Sequence, residues 1–332
     1  MKALVLRTAG HVSLEDIEQE PIPAGYARVR LLAAALNHRD VWIIEGKYAK
    51  IRYPSVLGSD GCGIVEEVND AERSLIGQRV IINPNQHWGG DERVQSADYT
   101  ILGMPSPGTF AEYITVPLDR LHPAPQHLSD EEAAALPLAG LTAYRAVAVQ
   151  GHVGSSDAVL IPGIGGGVAL FALLFVRALG ARTIAVTSGA VWKLERASAL
   201  GADCGVLYTE PTWADALRRR VGGFDLIVDG SGGEPFNQLI RLANPAGRIV
   251  LYGATLGGVP MLDVHRIFWR QLRIIGTTMG SDRDFAAMLA AVEQHQIRPV
   301  VDSVFPLAQY AEAFERMRRG EQFGKIVLRI SA

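Results

Sequence analysis

Apolar and polar positions change their rhythm twice along the chain. Up to about Pro123, short apolar runs are separated by glycine- and proline-rich turns: KALVLR from Lys2, ARVRLLAAAL from Ala27, VLGSDGCGIVEEV from Val56 and QRVIIN from Gln78. Runs of this length and punctuation predict a small antiparallel β domain with irregular loops. From about Ser129 to Gly280, fully apolar strands alternate with amphipathic helical stretches. That alternation predicts a parallel sheet with right-handed crossovers. The tail returns to a helix, Leu307 to Arg319, and a strand, KIVLRI from Lys325. There is no internal repeat and no low-complexity linker.

The second region opens on a legible helix start. Ser129 followed three residues later by Glu132 is a capping box, and Asp130 and Glu131 suit the positive end of a helix dipole. Pro137 and Gly140 interrupt this helix before it resumes through LTAYRAVAV.

The stretch DAVLIPGIGGGVALFALLFVRALGARTIAVTSGA is the most informative. Ala158 to Ile161 reads as a strand and Pro162 to Gly167 as a glycine-rich turn. Val168, Phe171, Phe175 and Leu179 then recur at helical spacing. Gly180 ends the helix, and Thr183 to Val186 reads as the next strand. Strand, glycine turn, helix and strand in this order form a dinucleotide-binding unit, with Gly163, Ile164, Gly165, Gly166, Gly167 and Val168 cradling the pyrophosphate at the helix N-terminus. The motif departs from G-x-G-x-x-G, because Val168 stands where the third glycine would be. A tight turn with no ligand is the bland alternative.

Cofactor choice turns on the end of the second strand. An acid there would accept hydrogen bonds from a ribose 2′-hydroxyl and repel a 2′-phosphate. The strand instead ends Thr187, Ser188, and no acid follows until Glu195. Ser188 can donate to a 2′-phosphate and Lys193 can offset its charge, so NADPH is the expected cofactor.

Length and composition narrow the setting. At about 150 residues per domain, 332 residues suggest two domains, and the change of rhythm divides them between residues 128 and 129. Lys and Arg total 32 against 35 Asp and Glu, so there is no basic excess for a nucleic-acid partner. The longest apolar run, Gly167 to Val176, is too short to span a bilayer, and the N-terminus lacks the features of a signal peptide. With only Cys62 and Cys204, neither a four-cysteine zinc site nor a disulfide framework can form, and the expectation is a soluble protein of the reducing cytoplasm. Small thiols of this kind read more simply as core residues than as a redox pair.

Six stretches carry a resemblance: NHRD at Asn37 to Asp40, LGSDGCGIV from Leu57, GTFAEYITVP from Gly108, LPLAGLTAYRAV from Leu136, the glycine turn, and FGKIVL near the end. Along essentially its whole length the chain resembles the medium-chain dehydrogenase/reductase superfamily, and within it the zinc-independent quinone oxidoreductase-like branch. The resemblance implies an α/β protein: a Rossmann doubly wound parallel sheet domain, residues 129–281, beside a GroES-like antiparallel β-barrel domain, residues 1–128 completed by 282–332, with a homodimer as the assembly. Zinc members bind a catalytic metal at positions that fall here on Asn37, Ser59 and Leu138, none of them a competent ligand. Asp60 beside Ser59 makes no site alone, and His38 reads as a hydrogen-bonding residue or a ribose contact rather than a metal ligand. The segment NPNQHWGGDERVQSADYTILG, which matches the structural zinc lobe, contains no cysteine. No bound metal is expected.

The resemblance also carries roles over by position. Lys193 and Tyr208 match residues that hold the adenosine 2′-phosphate, and Asn37, Tyr48 and Asp60 match a polar active-site lining. Thr142 matches a residue near the nicotinamide. Gly253 and Gly280 fall at strand ends near the cofactor, and Gly324 and Lys325 match a C-terminal contact. Tyr48 as a packed loop residue and Thr142 bonded to its own helix are the bland alternatives. Without zinc, an alcohol or ketone oxygen lacks a strong electrophile, whereas a quinone or α,β-unsaturated carbonyl delocalises the charge that hydride brings. The expected activity is hydride transfer from NADPH to such an acceptor, with Asn37, Tyr48 and backbone amides positioning it and water or Tyr48 supplying the proton. An alcohol or aldehyde dehydrogenase of the same superfamily, and a non-catalytic NADPH-binding sensor or structural protein, are the rival readings.

Overall fold

The two rhythms of the sequence become two separate sheet systems in the computed structural model, which describes residues 1–69 and 73–331. One compact unit comprises residues 1–139 together with the chain from 281 onward, and the other comprises residues 140–280.

In the first unit the long strand Tyr26–Ala35 gathers three antiparallel partners: Asp60–Val68, Tyr113–Pro117 and Lys325–Arg329. Ala27, Val29 and Leu31 alternate inward along it and join Val65, Val80 and Ile82 in one core. Each of the valines, leucines and isoleucines contributes about 1.5–3 kcal/mol on burial. Beyond Asp60–Val68 the sheet continues through Arg79–Ile82 to Leu121–Pro123, and beyond Lys325–Arg329 to Val301–Pro306. The last of these pairings is parallel, a departure from the expected antiparallel pattern. A small sheet of His11–Asp16, Lys2–Thr8 and Ser55–Val56 packs Leu4 and Leu6 into a second cluster with Phe110 and Phe314.

The segment matching a zinc lobe is held by other means. Trp88 is buried and meets Tyr99 edge-on, with ring centroids 5.2 Å apart, while the Tyr99 hydroxyl donates to Asn85 Oδ1 at 2.6 Å.

The capping box forms as the sequence predicts: Glu132 N donates to Ser129 Oγ at 3.2 Å and Ser129 N to Glu132 Oε2 at 2.9 Å. The helix it starts, Asp130–Ala135, buries Ala133, Ala134 and Ala135 and packs on the strands Tyr26–Ala35 and Asp60–Val68. The boundary therefore falls between residues 139 and 140, where the sequence placed it between 128 and 129. A capping box announces a helix, but it says nothing about which core receives the helix's apolar face. The helix resumes over Pro137–Tyr144 and then widens into a π turn, Arg145–Gln150.

The second unit is a six-stranded, all-parallel sheet. Its order is Cys204–Leu207, Thr183–Ser188, Ala158–Ile161, Phe224–Asp229, Ala243–Leu251, Arg273–Gly276. Chain order reverses direction at Ala158–Ile161, and the crevice beyond the carboxyl end of that strand is where such sheets bind ligands. The helix Gly167–Ala178 buries Ala169, Leu170, Phe171, Ala172, Leu173, Phe175 and Val176. It thereby anchors the turn that precedes it. Among the described residues, no helix is long and apolar enough to cross a membrane.

Candidate active site

The turn after Ala158–Ile161 owes its shape to glycine. Gly163 has φ +65° and Gly165 φ +137°, left-handed values that side chains disfavour. Thr187 pins the turn from the next strand: its carbonyl accepts from Ile164 N at 2.7 Å and its hydroxyl from Gly163 N at 3.1 Å. Ile164 is buried beneath, and Gly166 caps the helix that starts at Gly167. The first turn of that helix has N–H groups without helical partners, beside the positive end of the dipole, so phosphate oxygens find donors there. A Cβ on Gly166 would meet nothing within 4 Å, and one on Gly165 would lie 3.3 Å from Lys193 Nζ. The Lys193 ammonium thus stands directly over the cradle, and 5.3 Å from the centroid of the Trp192 ring.

At the end of Thr183–Ser188 the structure places no carboxylate. Ser188 is buried, its hydroxyl accepts from Ala190 N at 3.3 Å, and Tyr208 N donates to the Ser188 carbonyl at 3.0 Å. Half of Tyr208 is exposed, with its ring over Gly189. Lys193 thus approaches Gly165 and Tyr208 approaches Gly189 at the carboxyl ends of neighbouring strands.

Sequence reasoning missed the other wall. A cavity of about 350 Å³ runs from Gly163 and Thr187 past Tyr208 and Trp213 to Asp229 and Ser231. Asp229, at the end of Phe224–Asp229, accepts from Ser231 N at 3.0 Å and Gly232 N at 2.9 Å. Burial pushes its carboxyl up from the usual range, and those backbone donors oppose the shift. The signal was present as IVDGSGG, a strand ending in an acid before a glycine turn. Gly253 lies against Gly230, where a Cβ would approach its carbonyl oxygen to 2.9 Å. Thr142 is buried and donates to Met279 Sδ at 3.6 Å, and Gly280 ends this unit.

The first unit holds a second polar cluster, and strand register builds it. Asp60 lies opposite Ala35, and Val327 pairs with the same residue from the other side. Continuing that antiparallel register by two residues brings Lys325 to Asn37. Lys325 Nζ donates to the Leu36 carbonyl at 2.7 Å, Asn37 Oδ1 at 2.6 Å and Asp60 Oδ2 at 3.1 Å. Asn37 Nδ2 donates to Asp60 Oδ2 at 2.9 Å, and Leu138 N to Asp60 Oδ1 at 2.8 Å. Lys325 is 3 % exposed and Asp60 0 %, so this ion pair is dry. Gly324 makes the approach possible, since a Cβ there would lie 2.2 Å from the Val300 carbonyl oxygen.

Next to this pair sits a guanidinium that the sequence did not single out. Arg39 is buried; its Nη1 donates to Ser59 Oγ and to the Leu102 carbonyl, and its Nε to the Tyr48 hydroxyl at 3.3 Å. Asp40 is buried beside it and accepts from Asn37 N at 2.8 Å. Burial raises the Asp40 carboxyl to about 6, against the pull of Arg39, the Asn37 N–H and Lys325.

Known proteins match both units. The model of the alcohol dehydrogenase GroES-like domain fits residues 23–126, and that of the zinc-binding dehydrogenase fits residues 167–294. A zinc-type alcohol dehydrogenase-like protein of Schizosaccharomyces pombe is 37% identical over 317 residues, covering 92% of this chain and 91% of its own. The chain belongs to the medium-chain dehydrogenase/reductase superfamily. A crystal structure of an NAD-dependent alcohol dehydrogenase is 38% identical with a TM-score of 0.94, covering 100% of both chains. A quinone oxidoreductase of Pongo abelii is 27% identical, covering 93% of this chain and 90% of its own. This medium-chain dehydrogenase/reductase is a nicotinamide-dependent oxidoreductase with a GroES-like unit and a Rossmann unit.

Zinc, which that family description implies, does not fit these residues. Of the three positions expected for the metal, Asn37 and Leu138 meet at Asp60, offering an amide and a backbone N–H, while Ser59 Oγ donates to the Leu102 carbonyl at 2.8 Å. The one carboxylate, Asp60, already neutralises Lys325 and accepts three hydrogen bonds. A dication would have to displace an ammonium from a donor set without thiolate or imidazole. Among the described residues there is no group of three or more His, Cys, Asp or Glu side chains able to hold a metal ion. The nicotinamide dinucleotide does fit, by the open backbone cradle at Gly163 to Val168 and the cation above it. Lys325, expected as a cofactor contact, has its ammonium engaged inside the first unit instead.

Proposed function

We propose that this protein reduces a quinone or an α,β-unsaturated carbonyl with NADPH, without a metal. The observation that carries the reading is the Lys325 ammonium on Asn37 and Asp60, a fixed cation among the positions where zinc relatives bind their metal. A conjugated acceptor needs only hydrogen-bond donors for the charge it gains, and the polar groups around Asn37 and Tyr48 can supply them. When bound, the reduced dinucleotide supplies the hydride. Gly163 to Val168 hold its pyrophosphate, Thr187 fixes their geometry, and Lys193, Ser188 and Tyr208 receive the 2′-phosphate. Thr142, Gly253, Gly280 and Gly324 complete the proposed binding and positioning set.

The assembly we propose is a homodimer joined through the second unit. Among the described residues its edge strand Arg273–Gly276 pairs with one strand, and Met261, Phe268 and Trp269, in the segment of chain that leads to it, are exposed. Sedimentation of the purified chain at twice the monomer mass is the expected result.

Steady-state assays with a quinone and an enone, each with NADPH and NADH, test the activity. Turnover of at least one acceptor class, faster with NADPH, is expected. Absence of both, together with alcohol oxidation that requires added zinc, would refute the reading.

A further inference from the structure

Arg39 is a buried guanidinium with no carboxylate in hydrogen-bond contact. Its three acceptors are neutral oxygens, those of Ser59, Leu102 and Tyr48, and its Nη2 is buried without a partner. Buried charges are ordinarily paired, because an unpaired one is costly to hold away from water. Asp40 lies close enough to feel the guanidinium, yet its bonded oxygen accepts from the Asn37 backbone and its other oxygen has no partner. Its Cζ lies 4.8 Å from the Tyr48 ring centroid, its Nη2 donor is left over and the nearby Asp40 is not bonded to it, so Arg39 can receive a further negative charge. The oxygen it touches that can acquire one is the phenol of Tyr48, which is half-buried and follows the short helix His38–Ile44 carrying Arg39.

We infer that Arg39 is the positioning residue that makes Tyr48 the proton donor of the reaction. Because Arg39 Nε–H donates to Tyr48 Oη, a lone pair of the phenol faces the guanidinium and its own O–H is turned away, toward an acceptor. The inference rests on the reductase reading proposed above. Hydride from the reduced dinucleotide forms a C–H bond at the β-carbon of an enone. The π pair moves to the α-carbon linkage and the carbonyl pair to oxygen. That oxygen takes the Tyr48 proton, giving the enol and a phenolate held by Arg39. Water then returns the proton to Tyr48, and the enol becomes the saturated ketone, so one hydride and one proton are consumed per oxidised dinucleotide. Ser59 and the Leu102 carbonyl keep the guanidinium in register while this happens.

The test joins kinetics to a binding measurement that needs no turnover. Arg39→Gln is expected to lower kcat by about 100-fold, the scale of one positioned general acid, with KM for NADPH unchanged. Arg39→Lys, which keeps a charged donor, should recover about tenfold of it. Tyr48→Phe and the double variant should match Arg39→Gln, since residues acting as a unit are non-additive. Independently, 4-nitrophenolate, a mimic of the oxyanion, is titrated by its visible absorbance. It should bind the wild-type chain and bind each single variant about tenfold more weakly.

A wild-type chain that binds no 4-nitrophenolate, equal affinity in Arg39→Gln, or an unchanged kcat in Tyr48→Phe would each overturn the inference. Should the wild type reduce neither acceptor class, the reductase reading fails alone, and the 4-nitrophenolate titration still decides the Arg39–Tyr48 pairing. Tyr48→Phe, which removes a single oxygen, keeps the test open if Arg39→Gln does not fold.

Discussion

In the turn 163–167 the groups offered to a ligand are backbone N–H donors, whereas around Asp60 they are side chains converging from four separate stretches of sequence. The first site depends on conformation, since left-handed glycines, a threonine pin and a helix terminus suffice and almost any apolar neighbours would serve. The second depends on identity, because each of Asn37, Arg39, Asp60 and Lys325 has a specific partner in a dry interior. A backbone site tolerates change and binds what is common to many substrates. A buried side-chain site tolerates little and can discriminate.

The largest effect should come from unpairing the side-chain site. Lys325→Met leaves the Asp60 carboxylate buried without its cation, and a loss of about 3–5 kcal/mol in unfolding free energy is expected. Urea denaturation measures it, and a loss below about 1 kcal/mol would show that the cluster relaxes as freely as a surface pair. The backbone site should break more gently. Gly165→Ala puts a Cβ on a residue with φ +137° and 3.0 Å from Lys193 Cδ. Strain of about 1–3 kcal/mol should appear as a KM for the dinucleotide raised about tenfold or more. An unchanged KM would mean that the turn yields without disturbing the ligand.

Next in size is Lys193→Ala. Loss of one charge-assisted contact should raise KM for NADPH about tenfold and leave that for NADH nearly unchanged. Equal effects on both would remove Lys193 from the 2′-phosphate.

The smallest effect is one of pH. Asp40 has its carboxyl raised to about 6 by burial, with Arg39, Lys325 and Asp60 as the charged groups acting on it. The folded chain therefore holds this proton more tightly than the unfolded one. The stability it contributes is complete below about pH 4, where unfolded aspartate titrates, and is lost as pH rises through about 6. Tm should fall by about 2–4 °C between pH 5 and 7. Asp40→Asn should flatten that slope, and an identical slope in the variant would assign it to another group.

The same contrast decides what could be read in advance. The turn at Gly163 is contiguous, so its strand, glycines and helix announce themselves in one short stretch, and the parallel sheet follows from the alternation around it. The cluster at Asp60 joins Asn37 to a lysine 288 positions away, and no local pattern reports the register that brings them together. Resemblance indicated which positions converge, but not that an ammonium would stand among them. Arg39 went unnoticed for a related reason: in NHRD an arginine reads as helix-surface charge, and only its burial against Ser59 and Leu102 shows otherwise. Asp229 was overlooked because the glycines after it read as a plain turn.

The strand Lys325–Arg329 lies beside Tyr26–Ala35, although the ribosome makes the whole second unit between them. During synthesis the earlier sheet must therefore wait with one edge uncovered and the Asp60 carboxylate without its counter-ion until the late strand emerges. The unit translated first is completed last, so a stalled nascent chain should leave this half, rather than the nucleotide-binding half, open to proteases and in need of chaperones.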